Sequence, residues 1–110
     1  MKSYHLIGAA SGWGAQKTET EKGPEAFKAV PLDEIVGAST LDVCWADMVM
    51  TNLKAEESVR PLDARLSLIV SHCARLAESV KASIQGGAFP LVIGGDHAIA
   101  AGTWRGVMAA

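Results

Sequence analysis

The chain is short of several things that would point to a particular partner or compartment. It has two cysteines, Cys44 and Cys73, and no Cys-x-x-Cys pair, so neither a disulfide framework nor a thiolate metal knuckle is indicated. Two isolated thiols suit a reducing, cytoplasmic setting. The formal net charge is only -2, and no cluster of Lys and Arg stands against it, which argues against a nucleic-acid footprint. No apolar run approaches the roughly 18 residues needed to cross a membrane. The start, Met1-Lys2-Ser3-Tyr4-His5, lacks the apolar core and cleavage site of a signal peptide. No internal repeat or low-complexity tract is present. No Gly-x-Gly-x-x-Gly fingerprint or Gly-Lys-Ser/Thr triplet occurs, so a nucleotide-phosphate cradle is not expected.

What remains is an ordinary folded composition. Of 110 residues, 49% are apolar and 20% charged, far from the composition of a disordered chain. That length is one small domain or part of a larger one. The pattern of residues then gives an order of elements. Residues 3 to 10 read as a first strand, because Leu6, Ile7 and the small residues after them suit a sheet buried on both faces. His5 is expected to cap that strand in solvent. Ser11 to Gly23 form a long polar, glycine-rich loop, and loops of that length tend to be functional. Gly23-Pro24-Glu25 starts a short helix, with proline where its missing N–H costs nothing and Glu25 suited to the helix dipole. Pro31 limits that helix, and Leu32 to Val36 add one further turn. Leu41 to Trp45 is a second candidate strand, and Thr51 to Arg60 a surface loop.

The next helix has the clearest period. Leu62, Leu66, Ile69, Val70, Cys73, Leu76, Ala77, Val80 and Ile84 recur at spacings of three and four between Pro61 and Gly86-Gly87. Arg65, His72, Arg75, Glu78 and Lys81 fall on the other, polar side. A third strand follows at Leu91 to Ile93, then Gly94-Gly95-Asp96-His97 at the start of a helix running to the end of the sequence. The order β-loop-α-β-α-β-α predicts an α/β fold, a parallel sheet with helices on both faces.

Chemistry is expected at Asp96 and His97. In an open α/β sheet, ligands bind outside the carboxyl ends of the strands, and the two glycines let this ionisable pair stand there. An imidazole at that place suits a metal, with the neighbouring carboxylate orienting it. A Gly-Gly turn followed by an Asp N-cap accounts for the same residues equally well on local sequence alone.

Three features together resemble the arginase family, or ureohydrolases. The first is Gly8-Ala9-Ala10 with the loop closing in Gly23-Pro24 and Lys28. The second is Val43-Cys44-Trp45-Ala46-Asp47, a loose echo of the family's second strand. The third is Leu91-Val92-Ile93-Gly94-Gly95-Asp96-His97-Ala98-Ile99 through Gly102 and Gly106, which follows the family's first metal-binding motif closely. Their order and spacing span nearly the whole chain. Departures exist: Ala98 stands where the family usually has serine, and Lys28 where it usually has arginine.

The resemblance implies a three-layer α/β/α fold and a Mn²⁺-dependent hydrolase of guanidino or formimino groups. Its two-metal centre would hold a bridging hydroxide, and the reaction would release urea or an analogue. His97 matches a ligand of one metal, and Asp96 matches the supporting acid beside it. The family's remaining ligands come from an Asp-x-His-x-Asp and a later Asp-x-Asp motif, and this sequence has neither. Residues 1–110 are therefore expected to be the N-terminal part of an arginase-like domain, not catalytic alone, with no catalytic residue assignable and the metal site incomplete. An alternative is a short binding or assembly module that completes a site with a separate C-terminal half. A weaker one is an unrelated small-molecule binder using the loop from Ser11 to Gly23. Substrate identity and oligomeric state are not readable here, although relatives commonly form trimers or hexamers.

Overall fold

A computed structural model describes residues 3–11, 22–30, 42–50 and 62–110, with the side chains of 62–65 excluded. The loop from Gly12, the turn at Leu32 to Val36 and the loop from Thr51 to Arg60 lie outside the described residues. The elements are β1 (Ser3–Ala10), α1 (Gly23–Lys28), β2 (Asp42–Met50), α2 (Leu62–Gln85), β3 (Phe89–Gly94) and α3 (Ile99–Ala109).

The three strands form one parallel sheet in the order β2-β1-β3. β1 is central, which explains its apolar, small-residue run: Leu6 to Ala10 are all buried. The chain moves from β1 to one neighbour and then crosses back to the other side. Right-handed crossovers in opposite directions place their helices on opposite faces, and the two faces of β1 show this. On one face Gly8 meets α1: a Cβ there would sit 3.1 Å from the Pro24 Cβ. On the other face Ile7 and Ala9 form the core with Val49, Leu76 and Val80. The α/β architecture with a parallel sheet covered on both faces is thus the one observed.

β1 and α1 begin where the sequence places them. Leu41 lies outside the described residues; from Asp42, β2 runs on past the expected end at Trp45 and the polar Asp47 to Met50. A register shift between Leu6 and Ile7 makes this workable, because Ala46 is the extra residue and Val49 returns to the core face opposite Ala9. α2 spans 24 residues. It ends in a Schellman arrangement, with Ala88 N–H on the Ser83 carbonyl (2.9 Å), Gly87 N–H on Ile84 (3.0 Å), and Gly87 at φ 86°.

Three expectations need correction. His72 does not face solvent: it is 1% exposed, because α2 is covered on two sides, by the sheet and by α3. Leu66 and Val70, assigned to the apolar stripe, are exposed instead. His5 does not cap β1 in solvent but is half-buried, its Nδ1 2.9 Å from the Ser83 hydroxyl of α2.

α3 packs on α2 through two glycines one helical turn apart. A Cβ at Gly102 would lie 2.8 Å from the Cys73 carbonyl oxygen, and one at Gly106 2.6 Å from that of Ala77. Only hydrogen at both positions lets the helix backbones come this close.

Candidate metal-site turn at the carboxyl end of the sheet

The strand order reverses between β1 and β3, so the crevice outside their carboxyl ends is the topological switch point of this sheet. The chain lines that point with Ser11 from β1 and Gly95-Asp96-His97 from β3. Backbone bonds lace the two together: Gly95 N–H donates to the Ala9 carbonyl (3.3 Å) and Asp96 N–H to the Ser11 carbonyl (3.0 Å). Gly95 has no room for a side chain, since a Cβ would lie 2.7 Å from the Ala9 oxygen and closer still to that of Ser11. Gly94 is filled from the other side by Ile99 of α3. The first residue of α1 also arrives here, with a Cβ at Gly23 falling 3.0 Å from the Gly94 carbonyl oxygen.

Asp96 and His97 part company within this turn. Asp96 is buried, and its Oδ1 accepts the Ala98 N–H at 2.9 Å, which folds the chain toward α3. Asp96 is not the N-cap of the following helix, which is Ala98 with no side-chain cap bond; it closes a local turn ahead of the helix, which starts later than expected, at Ile99. His97 is exposed at the crevice, and its carbonyl accepts the Ala100 N–H at 3.1 Å. So the carboxylate is turned inward and the imidazole outward.

One imidazole does not make a metal centre. Among the described residues there is no group of three or more His, Cys, Asp and Glu side chains placed to hold a metal ion. His97 fits as a single ligand, and divalent ions of the Mn²⁺ type need about six donors. The described residues do not by themselves fit a metal pair.

The other histidines are structural. His72 Nε2 lies 2.9 Å from the Val49 carbonyl, so that nitrogen carries the proton. Burial is the main influence on His72 and pushes its pKa below 6.5, with Arg75 acting the same way and the Val49 bond and Asp96 opposing. Burial likewise raises the Cys73 thiol. A cavity of about 260 Å³ lined by His5, Ala46, Asp47, Ser79, Ala82 and Ser83 lies between the sheet and α2. Its polar groups are engaged with one another, His5 with Ser83 and Asp47 with Ser79. Nothing in the residues themselves marks His72 as a buried anchor, since its helical position matches that of the charged residues predicted on the same side.

Known proteins match this arrangement over the whole chain. The model of the arginase family matches residues 2–110. An arginase of Bacillus caldovelox is 32% identical over 110 residues, covering 97% of this chain and 36% of the relative. One from Staphylococcus aureus is 31% identical over 105 residues, covering 93% and 35%. The crystal structure of arginase from Bacillus subtilis superposes with a TM-score of 0.79 at 27% identity, over 98% of this chain and 34% of that one. The Bacillus cereus arginase structure gives 0.73 at 31% identity, over 98% and 35%. The chain spans about a third of the length of the relatives it matches. Sheet order, the Gly-Gly-Asp-His turn and a match from residue 2 to residue 110 lead to one conclusion: the chain belongs to the arginase family.

Proposed function

We propose that this chain supplies the first metal-binding turn of an arginase-type amidinohydrolase, with His97 as one ligand and Asp96 as its support. The parent reaction is hydrolysis of a guanidino or formimino compound, releasing urea or an analogue. The observation that carries the reading is the division of labour in the turn, where the buried Asp96 carboxylate braces Ala98 and leaves His97 exposed at the switch point. In a completed site His97 would hold one ion of a Mn²⁺ pair, whose chemistry would be the activation of a water. The remaining donors and the substrate contacts come from outside the described residues. The 110-residue chain alone is then not catalytic.

The outer edge of β3 supports a second reading, an assembly module completed by a separately encoded C-terminal half. β3 has β1 on one side and no strand partner on the other among the described residues, and Phe89 and Leu91 on it are exposed. Two free thiols, Cys44 of them exposed, suit the cytoplasm. No described helix is long and apolar enough to cross a membrane.

The test is co-expression with the C-terminal two-thirds of a similar arginase, followed by Mn²⁺ loading and assay of urea release from guanidino substrates. Co-purification with activity that His97→Ala abolishes is the expected result. Activity indifferent to His97→Ala overturns the ligand assignment.

A further inference from the structure

One turn of α2 reaches both flanks of the carboxyl end of the central strand, the end of β2 on one side and the turn after β3 on the other. From a fully enclosed position, His72 Nε2–H donates to the Val49 carbonyl at 2.9 Å. Arg75 Nη1 donates to the next carbonyl, Met50, also at 2.9 Å. Val49 and Met50 are the last residues of β2, on one flank. Between these two, Cys73 points the other way, and its Sγ–H donates to the Ala98 carbonyl at 3.3 Å. Ala98 is the residue after His97. Its carbonyl also accepts the Ala101 N–H at 3.2 Å. Burial raises the pKa of the thiol, which favours the protonated donor, while the backbone bond from Gly102 opposes it. Gly102 of α3 closes on this turn from behind, against the Cys73 backbone.

Carbonyls at the carboxyl end of a parallel strand run out of ladder partners, and side-chain donors are the usual substitute. Here the donors come from a single helical turn, so the two flanks are held to one rigid body. We propose that residues His72, Cys73 and Arg75 form a positioning clamp. Cys73 holds the His97 turn, His72 and Arg75 hold the end of β2, and α2 fixes the distance between them. The consequence for metal binding rests on the reading of His97 as a ligand; the clamp does not.

The experiment is NMR on the 110-residue chain. It follows amide exchange at Ala98, Met50 and core Ile7, and the ring signals of His97 with and without Mn²⁺. Cys73→Ala is expected to loosen the turn and so speed exchange at the Ala98 amide, which Asp96 Oδ1 holds, by about 3- to 10-fold. His97 ring signals shift in the same variant, and Ile7 stays as in the parent. Cys73→Ser, which keeps a donor, restores Ala98 to within about twofold. His72→Phe is expected to speed exchange at Met50, with recovery in His72→Gln, whose amide nitrogen reaches the same place. Should His72→Phe fail to fold, Arg75→Ala reads the same flank from an exposed position. The clamp is overturned if Ala98 and His97 are unmoved in Cys73→Ala, or if Ile7 loosens in step with them. In the parent chain, Mn²⁺ broadening of the His97 ring supports the ligand reading. The ligand reading falls if the co-expressed enzyme is indifferent to His97→Ala, and the exchange pattern decides the clamp in either case.

Discussion

The amide of Asp96 donates to the carbonyl of Ser11 across 3.0 Å, which stitches the turn after β3 to the end of β1. Gly95 makes this approach possible, because its α-carbon faces the Ala9 and Ser11 carbonyls with no space for a methyl group. Backbone oxygens in a central strand cannot move aside as a flexible side chain can. Gly95→Ala is therefore expected to destabilise the chain by about 2–3 kcal/mol in urea denaturation. Gly87→Ala is the control. Its φ of 86° disfavours a side chain, but nothing lies within 4 Å, so strain alone should cost about 1 kcal/mol.

His72 makes stability depend on pH in a definite direction. Burial holds its folded pKa below the ordinary 6.5, so the folded state favours the neutral ring. The unfolded chain then binds more protons between the two pKa values. The stability from neutral His72 is fully present above pH 6.5 and is lost as pH falls through the folded pKa. Chemical denaturation at a series of pH values should show this decline in the parent chain. His72→Gln should flatten that part of the profile.

The two thiols should differ sharply in reactivity. Cys44 is exposed, whereas Cys73 is half-buried, donates to Ala98 and has its pKa raised by burial. Thiolate is the reactive form, so an alkylating reagent at pH 8 should label Cys44 first, and Cys73 slower by about tenfold or more. Mass spectrometry of timed samples checks the order. Equal rates would mean that Cys73 is not packed as described.

Much of this architecture is legible in the residues, for identifiable reasons. β1 is legible from Ser3 to Ala10 because a central parallel strand carries an unbroken apolar run, here Leu6 to Ala10, with small residues where helices approach. The Gly-Gly-Asp-His turn was equally visible, since glycines mark backbone that must pass close to other backbone. β2 is harder to read because, among the described residues, it is an edge strand. Asp42, Cys44, Ala46 and Asp47 are exposed there, and the bulge at Ala46 breaks the alternation that would extend the strand to Met50. His72 was misplaced because a single helical stripe assumes one packing surface, whereas α2 is packed by both sheet and α3. The separate fates of Asp96 and His97 could not be read at all, as they depend on which side chain the turn points inward.

The outer edge of the sheet should be adhesive. Phe89 is 59% and Leu91 38% exposed on β3, and Trp104 on α3 is 65% exposed. An unpaired strand with apolar side chains is a template for association. Sedimentation velocity should show concentration-dependent association of the isolated chain. Leu91→Lys, which places a charge on that edge, should shift it toward monomer.

The central claim is that this chain brings one ligand, His97, to a site that its own residues do not complete. It is tested most directly by metal content per chain after Mn²⁺ loading and gel filtration, with His97→Ala measured beside it. The account predicts near-zero metal in both. Stoichiometric Mn²⁺ in the parent chain, lost in His97→Ala, would contradict it, because the missing donors would then have to come from this chain or from a second copy of it.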